Sequence, residues 1–312
     1  MNNFIVAVGA VAPLAIYLLM GIFMRWYAHF DDHSIFNFNK LIFTIFLPTN
    51  MFASIYYADM SSTQHLPLVG YALSSLVIFY MFMFILIPRI VKDNKKWGTM
   101  IQAIYRSNFL LMGVPIVENI YGPESTAGAM VLLAFCVPVY NILAVFCLET
   151  FRGGSFNLTE ILKGVMKNPM IIAAVAAAIL RNFDFSFPFF LEKSMKAISS
   201  ATTPLALIVL GASFTIQSAI SDIKNLMLCV LGRLVFMPLF VVTGAVLLGF
   251  RNVELASLMS MSISPTAIAS YSMAQQMNGD GELAGNAVIF STGLSIFTMF
   301  LWIYCFKVFG LL

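Results

Sequence analysis

Apolar runs long enough to cross a bilayer recur along almost the whole chain, and no other feature restricts its fold as severely. A spanning helix needs about 20 mostly apolar residues. Such runs lie at approximately 4–25, 34–57, 66–88, 99–121 and 126–149, and, after the polar stretch ETFRGGSFNLTE, at 160–181, 191–217, 223–249, 254–277 and 282–309. The expected fold is an all-α integral membrane protein with ten transmembrane helices. Within 160–181 the firmly apolar part, PMIIAAVAAAIL, is short, so that helix has to begin earlier, across Asn168-Pro169. Only 10% of the residues are charged, against about 25% in a soluble domain. The first run has no basic segment before it and is too long for a signal peptide, so it reads as a retained helix.

The distribution of charge orients the helices and excludes several functions. Arg25, Lys40, Arg89, Lys92, Lys95, Lys96, Arg152, Lys163, Lys167 and Lys224 fall at one set of helix ends, and Arg181, Lys193, Lys196, Arg251 and Lys307 at the other. The richer set is placed in the cytoplasm, which puts both termini outside the cell membrane. No stripe of Lys and Arg interleaved with aromatics suggests nucleic acid as a partner. Cys136, Cys147, Cys229 and Cys305 lie in apolar segments without metal-ligand spacing, and read as small buried hydrophobes. His29, His33 and His65 fall in loops. No zinc spacing, nucleophile–base pair or phosphate loop is visible, so neither an enzyme, a metal nor a cofactor is expected. GDGELAG, at 279–285, reads as a tight cytoplasmic turn.

The two halves echo each other. Pro13 and Pro169 are 156 positions apart, as are Pro48 and Pro204. AGAMVLLAF at 127–135 matches AGNAVIFST at 284–292, and Pro115 pairs with Pro265. Five helices is an odd number, so a second copy, 151–312, has to be inserted upside down relative to the first, 1–150. Inverted repeats of this kind place a transport site near the middle of the membrane, at the repeat interface.

The fourth and ninth runs carry the features that a lipid-embedded helix tolerates least. RSNFLLMGVPIVENIYG (106–122) contains Gly113, Val114 and Pro115, and SISPTAIASYS contains Ser264, Pro265, Thr266 and Ser270. Proline removes a backbone hydrogen bond and clashes with the preceding turn, at about 3 kcal/mol or more. Non-helical backbone at that depth survives only inside protein or beside a wet cavity. Pro115 and Pro265 are each suited to the first position of a new half-helix, with Gly113 and Ser264 as the steps before them. If the two breaks cross, two half-helix N-termini meet, each with free N–H groups and about half a positive charge, which favours an anion. A packing kink is the plainer reading of either proline alone.

Charged residues at depth support the same inference. Arg106 and Arg233 are expensive in the membrane and should face the bundle interior. Arg233 either attracts a carboxylate or binds carbonyls freed by a neighbouring break, and Arg106 either does the same or reaches back to the cytoplasmic surface. Glu118 is the one acidic residue well inside a run, near its outer end, and no carboxylate falls at 108–116 or 262–272. A cation–proton antiporter would place acids there, so the pattern favours an anionic or polar substrate. Asn50, Asn108, Asn141 and Asn286 are candidate amides along the path, Asn50 and Asn108 foremost because each lies beside a proline segment.

NFLLMGVPIVENIYG, KNPMII (167–172), TTPLALIVLGASF (202–214) and the stretch 258–292 together resemble the auxin efflux carrier family, which includes plant PIN carriers and bacterial malate and malonate permeases. The resemblance implies a 5+5 inverted repeat similar to bile-acid symporters and sodium–proton antiporters, with helices 1, 2, 6 and 7 as scaffold and helices 3–5 and 8–10 as transport domain. It also implies that Asn108, Pro115 and Pro265 hold the crossover positions, and that the protein forms a homodimer through the scaffold. Ser107, Ser270 and Ala274-Gln275-Gln276-Met277 depart from the PIN pattern, and the central loop is short, so an organic-acid permease is the better match. The expected function is secondary transport of a small organic anion, a dicarboxylate such as malate or malonate, by elevator-like alternating access. The alternatives are a proton- or sodium-coupled carrier of another amphipathic solute and a membrane receptor that moves nothing.

Overall fold

The computed structural model describes residues 2–27, 30–58, 65–152, 158–183 and 185–312, with side chains from residue 12 onward and that of Leu110 left aside. His29 and most of the glycine-containing linker after Arg152 lie outside the described residues.

In chain order, α1 (Asn2–Tyr27) is followed by α2 (Asp32–Leu41), which passes through a π turn (Ile42–Phe46) into α3 (Leu47–Tyr56). Then come α4 (Leu66–Ile90), α5 (Asn94–Tyr105), α6 (Phe109–Tyr121) and α7 (Ala127–Phe151). Beyond the linker lie α8 (Leu158–Lys167), α9 (Pro169–Asn182), α10 (Phe189–Ser213) and the short α11 (Ile216–Ser221). A second π turn (Gly232–Phe236) joins α12 (Ile223–Leu231) to α13 (Met237–Leu247). The chain ends with α14 (Asn252–Ile263), α15 (Ala269–Gln276) and α16 (Gly281–Val308).

Among the described residues, five helices are long and apolar enough to cross a membrane: α4, α7, α10, α12–α13 and α16. The pair α8–α9, bent by 63°, is long and apolar enough only when its two helices are taken together. The other apolar runs are shorter or interrupted, and the interruptions shape the site. Each π turn precedes a proline by two residues, Pro48 and Pro238. Proline offers no N–H to the carbonyl four residues back, and the looser π turn absorbs the mismatch without breaking the helix. Asn168 caps α9 by accepting from the Met170 amide at 3.0 Å, with Pro169 at the first helical position.

Helix α1 lies along α10, and α3 packs on α9 and α10. A Cβ on Gly21 would stand 2.0 Å from the Ile208 carbonyl oxygen, and one on Gly211 would stand 2.1 Å from that of Leu18. Backbone therefore meets backbone on this seam, as is common where small residues line membrane helix contacts. Helices α4, α5 and α7 pack together, α14 lies between α6 and α13, and α15 leans on α16.

Both the fourth and ninth runs are broken, the fourth away from its proline and the ninth at its proline. Helix α6 is continuous from Phe109 to Tyr121, so Gly113, Val114 and Pro115 lie inside it, and the chain leaves helical geometry at Arg106–Asn108. Gly113 serves close packing instead of a hinge, since a Cβ there would meet the Phe109 ring at 2.1 Å and the Ser260 carbonyl of α14 at 3.1 Å. Pro265 does not begin a half-helix either. It sits in the extended segment between α14 and α15, and the helix resumes at Ala269. GDGELAG is a turn only at its start. Asp280 accepts from the Leu283 amide at 2.9 Å, and α16 begins at Gly281.

Candidate functional site

The two interruptions meet in an antiparallel bridge between Ser107 and Thr266. Ser264 precedes a proline and is driven out of helical geometry, to φ −63°, ψ 145°. Arg106 is extended as well, at φ −84°, ψ 122°. The Asn108 amide donates to the Pro265 carbonyl at 2.8 Å, and the Ala267 amide to the Arg106 carbonyl at 3.2 Å. The Ser107 hydroxyl donates to the Met261 carbonyl at 2.7 Å and the Thr266 hydroxyl to the Ala103 carbonyl at 2.8 Å, while the Thr266 amide donates to Ser291 Oγ at 3.1 Å. Extended backbone is thus satisfied inside the protein, as it has to be where no water is at hand.

Four helix ends converge on this crossing: the C-termini of α5 and α14 and the N-termini of α6 and α15. The C-terminal pair is closed by Arg233, which reaches in from the π turn between α12 and α13 and is fully buried. Its Nε donates to the Ser264 carbonyl at 2.8 Å, Nη1 to those of Ile104 and Tyr105 at 3.3 and 2.9 Å, and Nη2 to those of Met261 and Ser262 at 3.1 and 2.5 Å. A guanidinium has five N–H donors, and all five are spent on backbone carbonyls. One positive charge also offsets two helix C-termini of about half a negative charge each.

The N-terminal pair faces a cavity of about 100 Å³. One water needs only about 10–15 Å³ by the same measure, so there is room for a small solute. Asn108 and Phe109 open α6 on this cavity, and Ala267, Ile268 and Ala269 lead into α15. Opposite them stand Leu47, Asn50 and Ser54 of α2–α3, Met170 of α9, and Thr202, Thr203 and Ala206 of α10. Leu133, Val137, Tyr140 and Asn141 of α7 form a third wall.

Arg106 lines the cavity and is only 4% exposed. Its Nη1 donates to Met273 Sδ at 2.8 Å and its Nη2 to the Asn141 side-chain oxygen. Among the described residues no carboxylate pairs with it, and no Asp or Glu lines the cavity. A thioether and an amide oxygen are poor substitutes for an anion beside a buried cation. The Asn108 side-chain nitrogen is buried without a hydrogen-bond partner. Asn50 donates across to Ser199 Oγ at 3.0 Å.

Asn50, Arg106, Asn108 and Asn141 share the cavity. Ser264, Pro265 and Thr266 build the crossing, and Arg233 holds it from behind with no donor left for a ligand. Gly113, Val114 and Pro115 belong to the body of α6, and Glu118 is exposed near its far end. The Ser270 carbonyl accepts from Gln102 Nε2 at 3.0 Å, and its hydroxyl is buried without a partner. Asn286 lines a separate polar cavity of about 250 Å³ with Arg25, Asp32, Ser218 and Gln275. Tyr140, Thr202, Thr203 and Ser54 line the site without having stood out in the sequence. The threonines immediately precede Pro204 in TTPLA, which is the signal that could have found them, whereas Tyr140 is hidden in an apolar run beside Asn141.

A multi-pass membrane protein organised around two interrupted, crossed helices with a solute-sized cavity at the crossing is of the transporter class. The family model described as membrane transport protein matches residues 6–161 and 155–303, and the chain belongs to that family, the auxin efflux carriers of the resemblance above. The chain is 25% identical over 305 residues to an uncharacterised transporter of Methanocaldococcus jannaschii, covering 94% of this chain and 96% of that one. It is 22% identical over 300 residues to an uncharacterised transporter of Methanothermobacter thermautotrophicus, with the same coverage. The protein is therefore a membrane transporter and not an enzyme.

Proposed function

We propose that this transporter carries a small organic anion, a dicarboxylate such as malate or malonate, across the cell membrane. The observation that carries this reading is Arg106: a buried guanidinium with no carboxylate partner among the described residues, lining a cavity that also receives the N-termini of α6 and α15. With about half a positive charge from each helix end, about two positive charges face the cavity, which suits a dianion. Asn108 offers an unused side-chain donor, and Asn50 and Asn141 supply further amides. In this reading Pro265 and Thr266 fix the crossing, and Arg233 positions it without touching the substrate.

The architecture that fits is ten spans in an inverted 5+5 repeat with both termini outside. The spans are α1, α2–α3, α4, α5–α6, α7, α8–α9, α10, α12–α13, α14–α15 and α16. The first, second, sixth and seventh form the scaffold, and the others move as the transport domain. The cavity lies between α3, α9 and α10 on one side and the crossing and α7 on the other, where an elevator-like slide would switch its exposure.

Uptake of labelled malate, malonate and lactate into proteoliposomes, with and without proton and sodium gradients, tests the proposal. Arg106→Gln and Asn108→Ala are expected to lower dicarboxylate uptake, the former by about tenfold or more, since a hydrogen bond to a charged group is worth about 1.5–3 kcal/mol. Unchanged uptake in both variants overturns the site.

A further inference from the structure

Asn141 joins the candidate anion site to the opposite side of the cavity. Its side-chain oxygen accepts from Arg106 Nη2, and its side-chain nitrogen donates to Met51 Sδ on α3 at 3.2 Å and to the Val137 carbonyl of its own helix at 2.9 Å. Asn141 is 5% exposed and Met51 1%. The chain Arg106–Asn141–Met51 thus runs from the crossing, through α7, to α3. Two of the acceptors that these side chains use are thioether sulfurs: Arg106 Nη1 ends on Met273, off the chain, and Asn141 Nδ2 on Met51, at its end. Thioether sulfur is a weak acceptor, and an ionised carboxylate is a strong one. An anion entering the cavity therefore takes Arg106 from Met273 and from the Asn141 oxygen. Asn141, deprived of that partner, turns its amide to the anion and leaves Met51.

We propose that Asn141 is the site residue that couples anion binding to domain movement. The empty carrier is held by the α7–α3 contact, the loaded carrier is released from it, and the protein consequently exchanges anions faster than it returns empty. The inference rests on the anion site and on the division into scaffold and transport domain proposed above. Ligand and movement are linked here by a differential interaction, as any ligand-driven change requires. Met51 does not line the cavity, so it can be altered without changing the surface that meets the anion.

The test uses the full-length protein in proteoliposomes loaded with labelled malate. Efflux is measured into buffer with malate (exchange) and without it (net efflux). Exchange is expected to exceed net efflux by about three- to tenfold, the factor that one modest hydrogen bond supplies. Met51→Leu keeps the volume and removes the acceptor, so net efflux should rise toward the exchange rate while exchange stays as it was. Met51→Gln offers a stronger acceptor, so net efflux should fall further. Equal exchange and net efflux in the unaltered protein overturn the coupling alone, as does a ratio that neither Met51 variant moves. Absence of malate flux, with no malate- or malonate-induced rise in melting temperature, overturns the anion site and the coupling with it.

Discussion

Two arginines lie buried a few residues from the same crossing and are treated in opposite ways. Arg233 is enclosed by five backbone carbonyls from the ends of α5 and α14. Arg106 leans on a sulfur and an amide at the wall of a cavity. The charge is the same, and both side chains are buried. The difference lies in which helix ends each one meets: Arg233 faces C-termini, whose carbonyls need donors, and Arg106 faces the space in front of the N-termini of α6 and α15. Arg233, fully paired with backbone, is a structural element, and Arg106, left with poor partners, is the arginine that the proposed site uses.

The widest separation between them should appear on truncation. Arg233→Met leaves carbonyls of both half-helices buried without donors, each costing about 1–3 kcal/mol, and should lower the melting temperature of the detergent-solubilised protein severely or prevent its folding. Arg233→Lys keeps the charge but not the fork of donors, and should fall between. Arg106→Met is expected to leave the melting temperature unchanged or higher, because replacing a poorly paired buried charge by an apolar group of similar size is often neutral or stabilising. Its malate uptake should nonetheless fall by about tenfold or more. If the two variants behave alike in stability, the distinction between structural and functional arginine is lost.

The contrast between the arginines was open in the sequence, where both stood as expensive charges with two readings each. Position along the chain could not decide it, because the partners of Arg233 come from residues 104–105 and 261–264, far apart in sequence. The apolar runs were legible because lipid imposes a length on them, and the helices observed begin and end within a few residues of those runs. The place of the second break was legible from Pro265. The place of the first was not, because Arg106-Ser107-Asn108 contains neither proline nor glycine. What holds it open is tertiary: the bridge to Thr266, the Ser107 bond to Met261 and the grip of Arg233 on the end of α5. The cavity wall from α7 and α10 was legible only in part, since Tyr140 and the threonines resemble ordinary apolar-helix residues.

The two prolines differ too, one at the crossing and one away from it. Pro265 sits in the extended segment and forces Ser264 out of the helix, so Pro265→Ala removes a constraint on the crossing itself. The bond from the Asn108 amide goes to the carbonyl of residue 265, which alanine retains. The crossing should therefore form but be less firmly set, with malate uptake lowered by about threefold, corresponding to a loss of less than about 1 kcal/mol in positioning.

Pro115→Ala should have the smallest effect of the set, although the sequence gives the two prolines equal standing. Pro115 is well inside α6, where it deprives the Leu111 carbonyl of its usual donor. Alanine restores that N–H and the intrinsic helix preference, which favours alanine over proline by about 3 kcal/mol in a helix interior. The Asn119 side chain donates to the carbonyl of residue 115 at 2.7 Å, a contact that the substitution keeps. Neither the bridge at Ser107 nor the cavity wall includes residue 115. The expected result is a melting temperature equal to or above that of the unaltered protein and malate uptake within about twofold of it, the factor set by a few tenths of a kcal/mol. A collapse of uptake in Pro115→Ala, with Pro265→Ala unaffected, would move the functional break back to the Gly113–Pro115 step and take the crossing at Ser107–Thr266 out of the mechanism.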